Sequence, residues 1–591
     1  MRWVNIGLIC VFLLLAAVLR VWYLDRIPTG IVEDELDYVL NAKAIYHTGG
    51  SINTARWSPW SLTTVPTEVP KAEFPYVISI PFVGPYGLSL FTARIGYAVI
   101  SVLYVLTVFG VAQALFGTTV GLAAGFLAAI NPWSVYYGRT AYDVPVAITA
   151  YLAALFVLVR FRGPRLLLAI LPLFIGFYSY IGTKIVFLPY VAIVLFGSWF
   201  AVRKRRDTLW LTLVGIASVI LFALYVIQWQ KLDTHLRVNQ LFTPFDTSVS
   251  TSVDLQRRLT LSSPLISLFA NKPIVYLKET MIKFFGAFSP SILFTNGEGI
   301  ATFSLWEHGL FYPVDAAFLF LGLFVLFTTA PMLLLLFVAI IIISTLPSVL
   351  STVGTTYVHR SSLMYPFFTI IMGQGIASTI SRFRGKLRTV IVGGMVLLYA
   401  LLVANFIYLY FFRFPYYNSE SFGLSQRLSS RYTVLANAHQ IPVDHITESA
   451  VGYFRHYLFY ADGVNRGTIP DIRKSFADGI YTRRNITFSK VCPTVADIEG
   501  GQTTYVLSDT SPCKPLFIQR PMLTIPSLSD GGTLFMIFND RLCQQYALSP
   551  YPTGFTIEDF AVENLSEKQF CERFIIRYTQ PLYLPQPEKK P

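Results

Sequence analysis

Long apolar segments, repeated along the N-terminal part of the chain, constrain its fold more than any other feature. A helix needs about 20 apolar residues to cross the hydrocarbon layer of a bilayer. About eleven segments approach that length, near 4–19, 88–115, 119–138, 142–160, 165–181, 185–202, 209–228, 314–329, 331–349, 362–380 and 389–412. Only 13% of the 591 residues are charged, against about 25% in soluble domains. The sequence therefore predicts an α-helical polytopic membrane protein, with the helix boundaries around Pro132 and Pro331 left open.

Clusters of basic residues predict how the chain is oriented. The clusters lie between apolar segments, at 160–165, 203–206 and 382–388. All three fall on the same side as Arg2, and the cytoplasmic loops of membrane proteins are rich in Lys and Arg. We therefore expect a multi-pass protein of the cell membrane with a cytoplasmic N-terminus and with outer loops 23–87 and 229–313. Because these clusters explain the net charge of +13, no nucleic-acid partner is expected.

The segment 413–591 changes character and predicts an extracytoplasmic soluble α/β domain after a transmembrane domain at 1–412. Turn residues separate short β-rich runs at 504–507, 533–538 and 574–578. The segment also contains four of the five cysteines, Cys492, Cys513, Cys543 and Cys571. Three pairings are possible, and Cys492–Cys513 with Cys543–Cys571 closes the shortest loops. Disulfides persist in oxidising compartments, which agrees with the predicted orientation. Cys10, in the first apolar segment, is expected to be a buried small hydrophobe.

Carboxylates are concentrated just after the first apolar segment. Asp34 and Glu35 stand within Glu33-Asp34-Glu35-Leu36-Asp37-Tyr38, where neighbouring negative charges repel one another. The pattern predicts a short amphipathic helix on the membrane surface, with these acids either capping its N-terminus or supplying a base. Asp143, at the outer ends of two apolar segments, is the second candidate. A charged carboxylate at the membrane boundary costs free energy unless it is paired or functional. The alternative to a functional role is a local ion pair between Asp143 and Arg139.

Isolated cations stand at the same predicted membrane boundary. Lys71 lies in the first outer loop, and Arg94, Lys184 and Arg360 lie at outer helix ends. Singly, each suits a side chain that extends toward the interface. Together they could bind a phosphate group, because guanidinium and ammonium groups pair with its oxygens.

An ordered series of residues resembles the GT-C class of polyprenyl-phosphate-sugar-dependent glycosyltransferases, which includes protein O-mannosyltransferases and the aminoarabinose transferase acting on lipid A. The resemblance spans about 20–412. It is carried by Leu19-Arg20, Arg26-Ile27-Pro28, Asp34-Glu35 with Tyr38, Lys71 to Tyr76, Leu90 to Arg94, Asn131-Pro132, Tyr137-Gly138-Arg139 with Asp143, Phe288 to Phe294 with Gly297-Glu298, and Arg360 with Pro366. The chain departs from the class at Glu298, where relatives usually show an aspartate, and at His359, which lacks their fuller histidine motif.

The resemblance implies an inverting transfer of a sugar from a polyprenyl-phosphate donor to an extracytoplasmic glycolipid, glycan or protein. It implies Asp34 as general base beside Glu35, and Asp143 as a second catalytic acid. Candidate substrate-binding residues are Lys71, Tyr76, Arg94, Arg139, Glu298 and Arg360. In some members paired acids also bind a divalent metal ion, so Asp34 and Asp143 are candidate ligands. A multi-pass transporter or lipid flippase of the cell-envelope pathway is the alternative function, although no related halves are evident.

Overall fold

The computed structural model describes residues 2–55, 57–61, 71–202, 205–231, 241–305, 307–352, 356–509, 511–516, 523–548 and 554–577. The helices of the N-terminal region follow one another along the chain. They are α1 (Arg2–Val21), α2 (Glu33–Thr48), α3 (Phe74–Val83), α4 (Leu90–Phe116), α5 (Thr118–Ile130), α6 (Pro132–Tyr137), α7 (Val144–Arg160), α8 (Ile170–Ser179), α9 (Thr183–Val202), α10 (Arg205–Lys231), α11 (Thr247–Arg258), α12 (Ile266–Phe269), α13 (Lys272–Gly286), α14 (Pro313–Thr329), α15 (Pro331–Ile343), α16 (Leu346–Val349), α17 (Tyr357–Arg360), α18 (Tyr365–Arg382) and α19 (Gly385–Ile407).

The prediction of a helical membrane protein is confirmed, because each predicted apolar segment coincides with helix. Within the described residues, six helical segments are long and apolar enough to cross a membrane: Leu90–Phe116, Thr183–Phe200, Asp207–Gln228, Pro331–Val349, Ser362–Arg382 and Gly385–Tyr417. Six further apolar helices are 10–17 residues long. Pro132 and Pro331 each stand in the first turn of a new helix, where a missing backbone N–H is tolerated.

Small residues allow the helices of the bundle to approach closely. A Cβ atom on Gly322 of α14 would lie 1.9 Å from the carbonyl oxygen of Ile371 in α18. A Cβ atom on Gly375 of α18 would lie 2.2 Å from the carbonyl oxygen of Phe318. This contact between α14 and α18 therefore requires glycine on both helices.

Helix α2 differs from the predicted surface helix. All its residues from Glu35 to Ile45 are buried, so it does not expose one polar face to water. It packs on α3 and on a helix of the C-terminal region. The amphipathic prediction was wrong because the polar groups of α2 find partners inside the protein, as described below. Cys10 is likewise not buried but exposed on α1.

The C-terminal region contains helices around one mixed sheet. Its helices are α20 (Phe414–Tyr417), α21 (Leu424–Ala438), α22 (Ala450–Tyr460), α23 (Ile469–Asp478), α24 (Val495–Glu499) and α25 (Glu567–Phe574). Its strands are β1 (Val443–Ile446), β2 (Tyr481–Arg483), β3 (Ile486–Ser489), β4 (Thr504–Ser508), β5 (Leu523–Pro526), β6 (Thr533–Phe538) and β7 (Ile576–Arg577), in the order β2-β3-β1-β4-β6-β5-β7. β1 is parallel to β3 and β4, and the other neighbours are antiparallel.

The cysteines of this region pair as the shortest loops predict. Cys492 bonds Cys513, and Cys543 bonds Cys571. Two of the predicted β-rich runs coincide with β4 and β6, whereas Phe574 ends α25 and only residues 576–577 form β7. Tyr578 and residues 203–204 of the second basic cluster lie outside the described residues.

Candidate functional site

The first turn of α2 carries Asp34, which lies partly exposed beside Lys71. The Asp34 carboxylate contacts the Lys71 ammonium, and 45% of the Asp34 side chain is exposed against 16% of Lys71. Lys71 precedes α3, which packs against α2. Asp34 is therefore a reachable carboxylate whose charge is balanced by a neighbouring ammonium group.

Asp143, at the N-terminal end of α7, lies next to the same cluster. Its Oδ2 accepts a hydrogen bond of 2.9 Å from the Tyr38 hydroxyl, which extends from the second turn of α2. Burial raises the pKa of Asp143 to about 6, while the Tyr38 hydrogen bond and the positive charge of Lys71 oppose that rise. Lys71 therefore contacts Asp34, and its positive charge also acts on Asp143.

His359 completes the surroundings of Asp143. Its Nε2 lies 3.6 Å from Asp143 Oδ1. Its ring packs against Phe303 and Tyr180, with ring centroids 4.9 and 5.2 Å away. Burial, followed by the charges of Arg360 and Lys71, lowers the pKa of His359 to about 3. The imidazole is therefore neutral, and the 3.6 Å approach is a polar contact rather than an ion pair.

Arg360 stands on a short helix that Glu298 anchors. The two carboxylate oxygens of Glu298 accept hydrogen bonds of 2.8 and 3.0 Å from the backbone N–H groups of Tyr357 and Val358, at the start of α17. Burial raises the pKa of Glu298 to about 7, against these hydrogen bonds and the nearby charge of Arg360. The Arg360 guanidinium contacts the Ser351 hydroxyl. Glu298 thus acts on the backbone that carries His359 and Arg360.

Glu35 and Arg94 face inward and are fully buried. Arg94 Nε and Nη2 each lie 3.0 Å from a carboxylate oxygen of Glu35. Arg94 also donates to the carbonyls of Pro28 and Gly30, and Glu35 accepts a 2.6 Å hydrogen bond from the backbone N–H of Ala141. The pair joins α2, α4 and the segment before Asp143.

Arg139 and Tyr76 also lie away from the Asp34–Lys71 contact. Arg139 does not pair with Asp143; it donates to the carbonyls of Leu19 and Ile27, at 3.0 and 2.8 Å, near the end of α1. The Tyr76 hydroxyl donates a 2.7 Å hydrogen bond to Asp37. Arg139 therefore stabilises the segment that follows α1, and Tyr76 links α3 to α2.

Tyr38 and His359 contact Asp143, although the sequence did not mark either of them as a candidate site residue. Tyr38 entered only as part of a motif, and His359 only as a departure from one. Their signal was position: Tyr38 follows Asp34 by one helical turn, and His359 precedes Arg360. One helical turn places side chains on the same face.

The residues around the two aspartates do not make a divalent-metal site as arranged. Within the described ranges, no group of three or more His, Cys, Asp or Glu side chains could hold a metal ion. Asp34 is engaged by an ammonium group, and the nearest groups to Asp143 are a phenol and a neutral imidazole. We therefore derive no step through a metal.

These observations define a multi-pass helical membrane protein with an acid–lysine–histidine–arginine cluster at helix ends, joined to a region built on a mixed sheet. No family model and no curated protein matches the chain.

Solved structures of two glycosyltransferases of the class that the sequence resembles align with most of the chain. The archaeal oligosaccharyltransferase AglB from Archaeoglobus fulgidus, in complex with an inhibitory peptide and a dolichol-phosphate, is 12% identical with a TM-score of 0.45, over 91% of this chain and 74% of that one. ArnT from Cupriavidus metallidurans, in the apo state, is 10% identical with a TM-score of 0.40, over 90% and 98%. ArnT bound to undecaprenyl phosphate is 11% identical with a TM-score of 0.38, over the same shares. Because these TM-scores are below 0.5, we base the functional proposal on this chain's own contacts.

Proposed function

We propose that the protein is an integral membrane glycosyltransferase that moves a sugar from a polyprenyl-phosphate donor to an acceptor outside the cytoplasm. The observation that carries the proposal is the partly exposed Asp34 carboxylate in contact with Lys71, beside Asp143. A base and a cation within one cluster are the two groups that this transfer requires, because the donor already contains its leaving group.

Asp34 is the general base in this proposal. It takes the proton of the acceptor hydroxyl as the acceptor oxygen bonds to the anomeric carbon of the sugar. The bond between that carbon and the phosphate oxygen breaks, and its electron pair leaves with the polyprenyl phosphate. Attack from the face opposite the phosphate inverts the anomeric configuration.

Lys71 and Arg360 bind the donor phosphate in this proposal. Their positive charges stabilise the negative charge that grows on the leaving group. In the free protein Lys71 contacts Asp34. A phosphate bound to Lys71 competes for that ammonium group, so donor binding frees the Asp34 carboxylate to contact the acceptor hydroxyl.

Asp143 and Glu298 position these groups. Asp143 accepts a hydrogen bond from the Tyr38 hydroxyl of α2 and contacts His359 of α17. It therefore links α2 to α17. Glu298 holds the backbone before Arg360. We assign Glu35, Arg94, Arg139 and Tyr76 to the scaffold, since each is buried and bonded away from the exposed Asp34 carboxylate.

The basic clusters support an orientation in which the site faces away from the cytoplasm. A lipid-linked donor and an acceptor such as a glycolipid, a glycan or a protein would then meet at the outer membrane boundary. The sugar is unspecified in this proposal.

The test is a transfer assay with the purified full-length protein in liposomes. The donors are radiolabelled sugars on undecaprenyl phosphate, and the acceptors are lipid and protein fractions from envelope extracts. We expect label to move to an acceptor, with release of unglycosylated polyprenyl phosphate. Movement of intact donor between leaflets, without sugar transfer, would support a transporter or flippase and contradict the proposal.

A further inference from the structure

Helix α22 of the C-terminal region packs directly on α2, the helix that carries Asp34. Leu36 and Leu40 of α2 share one buried hydrophobic cluster with Phe454 and Leu458 of α22. About 410 residues of chain separate the two helices, so this is a contact between the N-terminal and C-terminal regions.

At the centre of this contact, Arg455 of α22 reaches a buried carboxylate of α2. Its guanidinium contacts Asp37. The Asp37 side chain is only 3% exposed and also accepts hydrogen bonds from the Tyr76 hydroxyl at 2.7 Å and from Asn41 Nδ2 at 3.2 Å. Asp37 lies one helical turn after Asp34 and next to Tyr38. The charge of Asp37 is therefore balanced by a cation from the C-terminal region.

The other end of α2 is held from the same region. Arg473 of α23 donates to the carbonyl of Ser51, at 3.0 and 2.8 Å, and to the Thr48 hydroxyl at 2.8 Å. Asp462 accepts a 2.9 Å hydrogen bond from the backbone N–H of Leu88, just before α4. Polar contacts from 450–478 thus hold α2 in its second turn, just beyond its last turn, and at the neighbouring loop.

We propose that the C-terminal region positions the catalytic cluster, with Arg455 as the positioning residue that holds the N-terminal half of α2 through Asp37. The inference rests on the proposed function for its kinetic consequence. Without Arg455, Asp37 is a buried carboxylate with no compensating cation, and such a charge forces its surroundings to move or admit water. Tyr38 is next to Asp37 and Asp34 lies one turn before it, so both move with this part of α2. A displacement of about 1 Å at a reacting group lowers a rate by about 100-fold.

The experiment compares three full-length variants in detergent: Arg455→Gln, the double variant Asp37→Asn/Arg455→Gln, and Arg466→Gln as an exposed arginine of the same region. Hydrogen exchange is followed in peptides covering 34–48, and sugar transfer is followed at varied donor concentration. For Arg455→Gln we expect exchange in these peptides about tenfold faster and kcat about tenfold lower, with donor KM within about threefold. The double variant recovers part of the protection, because the buried charge is gone. Arg466→Gln matches the wild type.

Unchanged exchange in 34–48 for Arg455→Gln would overturn the inference, and so would faster exchange with unchanged kcat. If Arg455→Gln cannot be purified, the double variant decides: full protection together with wild-type kcat overturns the inference. If the wild type transfers no sugar while Arg455→Gln still loosens α2, the positioning by Arg455 stands and the glycosyltransferase proposal fails.

Discussion

Asp34 and Glu35 are adjacent in the sequence, yet their surroundings differ completely. Asp34 has an exposed carboxylate edge and one ammonium neighbour. Glu35 is enclosed and receives Arg94 and two backbone N–H groups. Helix geometry explains the difference, because consecutive residues point about 100° apart around the axis. One carboxylate is therefore available for chemistry and the other for structure.

The Glu35–Arg94 pair gives a prediction about stability. Removing one partner of a buried ion pair leaves an uncompensated charge and costs about 3–5 kcal/mol. We expect Arg94→Met to lower the thermal unfolding midpoint clearly, and Glu35→Gln/Arg94→Met to lower it less. Differential scanning fluorimetry of the purified protein in detergent measures both. Equal loss in the two variants would contradict the ion-pair account.

His445, in β1, gives a prediction about pH. It is buried, hydrogen-bonded to Thr433 at 2.6 Å and stacked on Phe488, and burial lowers its pKa from 6.5 to about 3. The unfolded chain therefore binds a proton that the folded chain does not. His445 contributes stability above pH 6.5 that is lost as the pH falls toward 3, by about 1.4 kcal/mol per pH unit.

The measurement is the unfolding midpoint of the full-length protein between pH 7.5 and 5.5. We expect His445→Gln to weaken the acid-induced loss relative to the wild type. An identical pH profile for His445→Gln and the wild type would show that His445 does not govern this loss.

At the scale of elements, the apolar segments predicted the membrane helices correctly. The prediction that α2 lies on the membrane surface was wrong, because most of α2 is buried. The segments of α4, α9 and α18 are long and apolar, so their type follows from composition alone. Helix α2 has acidic residues at its start followed by apolar residues, which in the sequence indicated a surface helix. Its buried acids Glu35 and Asp37 pair with Arg94 and Arg455, which are distant in the chain. A periodic pattern does not identify such partners.

Helix α17 shows how an element can depend on one distant carboxylate. It has only four residues, too few to be stable by propensity. Glu298 supplies acceptors for two of its first N–H groups. We expect Glu298→Ala to raise the donor KM about tenfold with a smaller change in kcat, because Arg360 loses its support.

The matched control for this prediction is Glu307→Ala. Glu307 is a partly exposed acid of the same segment between α13 and α14, and it pairs with Arg413 at 2.8 Å instead. Its substitution is expected to leave the donor KM unchanged. A donor KM for Glu298→Ala equal to that of the control would contradict the role given to Glu298.

At the scale of the whole molecule, the sequence predicted the fold class, the sheet-containing tail and the disulfides. The grouping of Asp34, Lys71 and Asp143 in one active site stays a prediction, which the contact of Lys71 with Asp34 supports. It could not predict that Arg94, Arg139 and Tyr76 bond to scaffold groups, because an isolated cation or phenol has the same sequence context in either role. The contacts between the C-terminal region and α2 could not be predicted from local sequence patterns either. They join residues that are far apart in the chain, such as Arg455 and Asp37, which are 418 positions apart.

The disulfides give a prediction about orientation. Sequence separations of 21 and 28 residues correspond to about 3 kcal/mol of stabilisation for each bond. In freshly isolated membranes, denatured without reductant, we expect a maleimide–polyethylene glycol reagent to shift the protein by one adduct, at Cys10. Reduction then allows five adducts. Five adducts without reduction would place the C-terminal region in a reducing compartment.

The most direct measurement compares sugar transfer by Asp34→Asn with transfer by Glu33→Gln. Both variants remove one negative charge from neighbouring positions of the same turn, but Glu33 is not part of the Lys71 cluster. At equal expression and unfolding midpoint, we expect Asp34→Asn to lose at least about a hundredfold in kcat, since a general base contributes about 100- to 10,000-fold. Glu33→Gln is expected to retain wild-type kcat. Full transfer by Asp34→Asn would contradict Asp34 as the base.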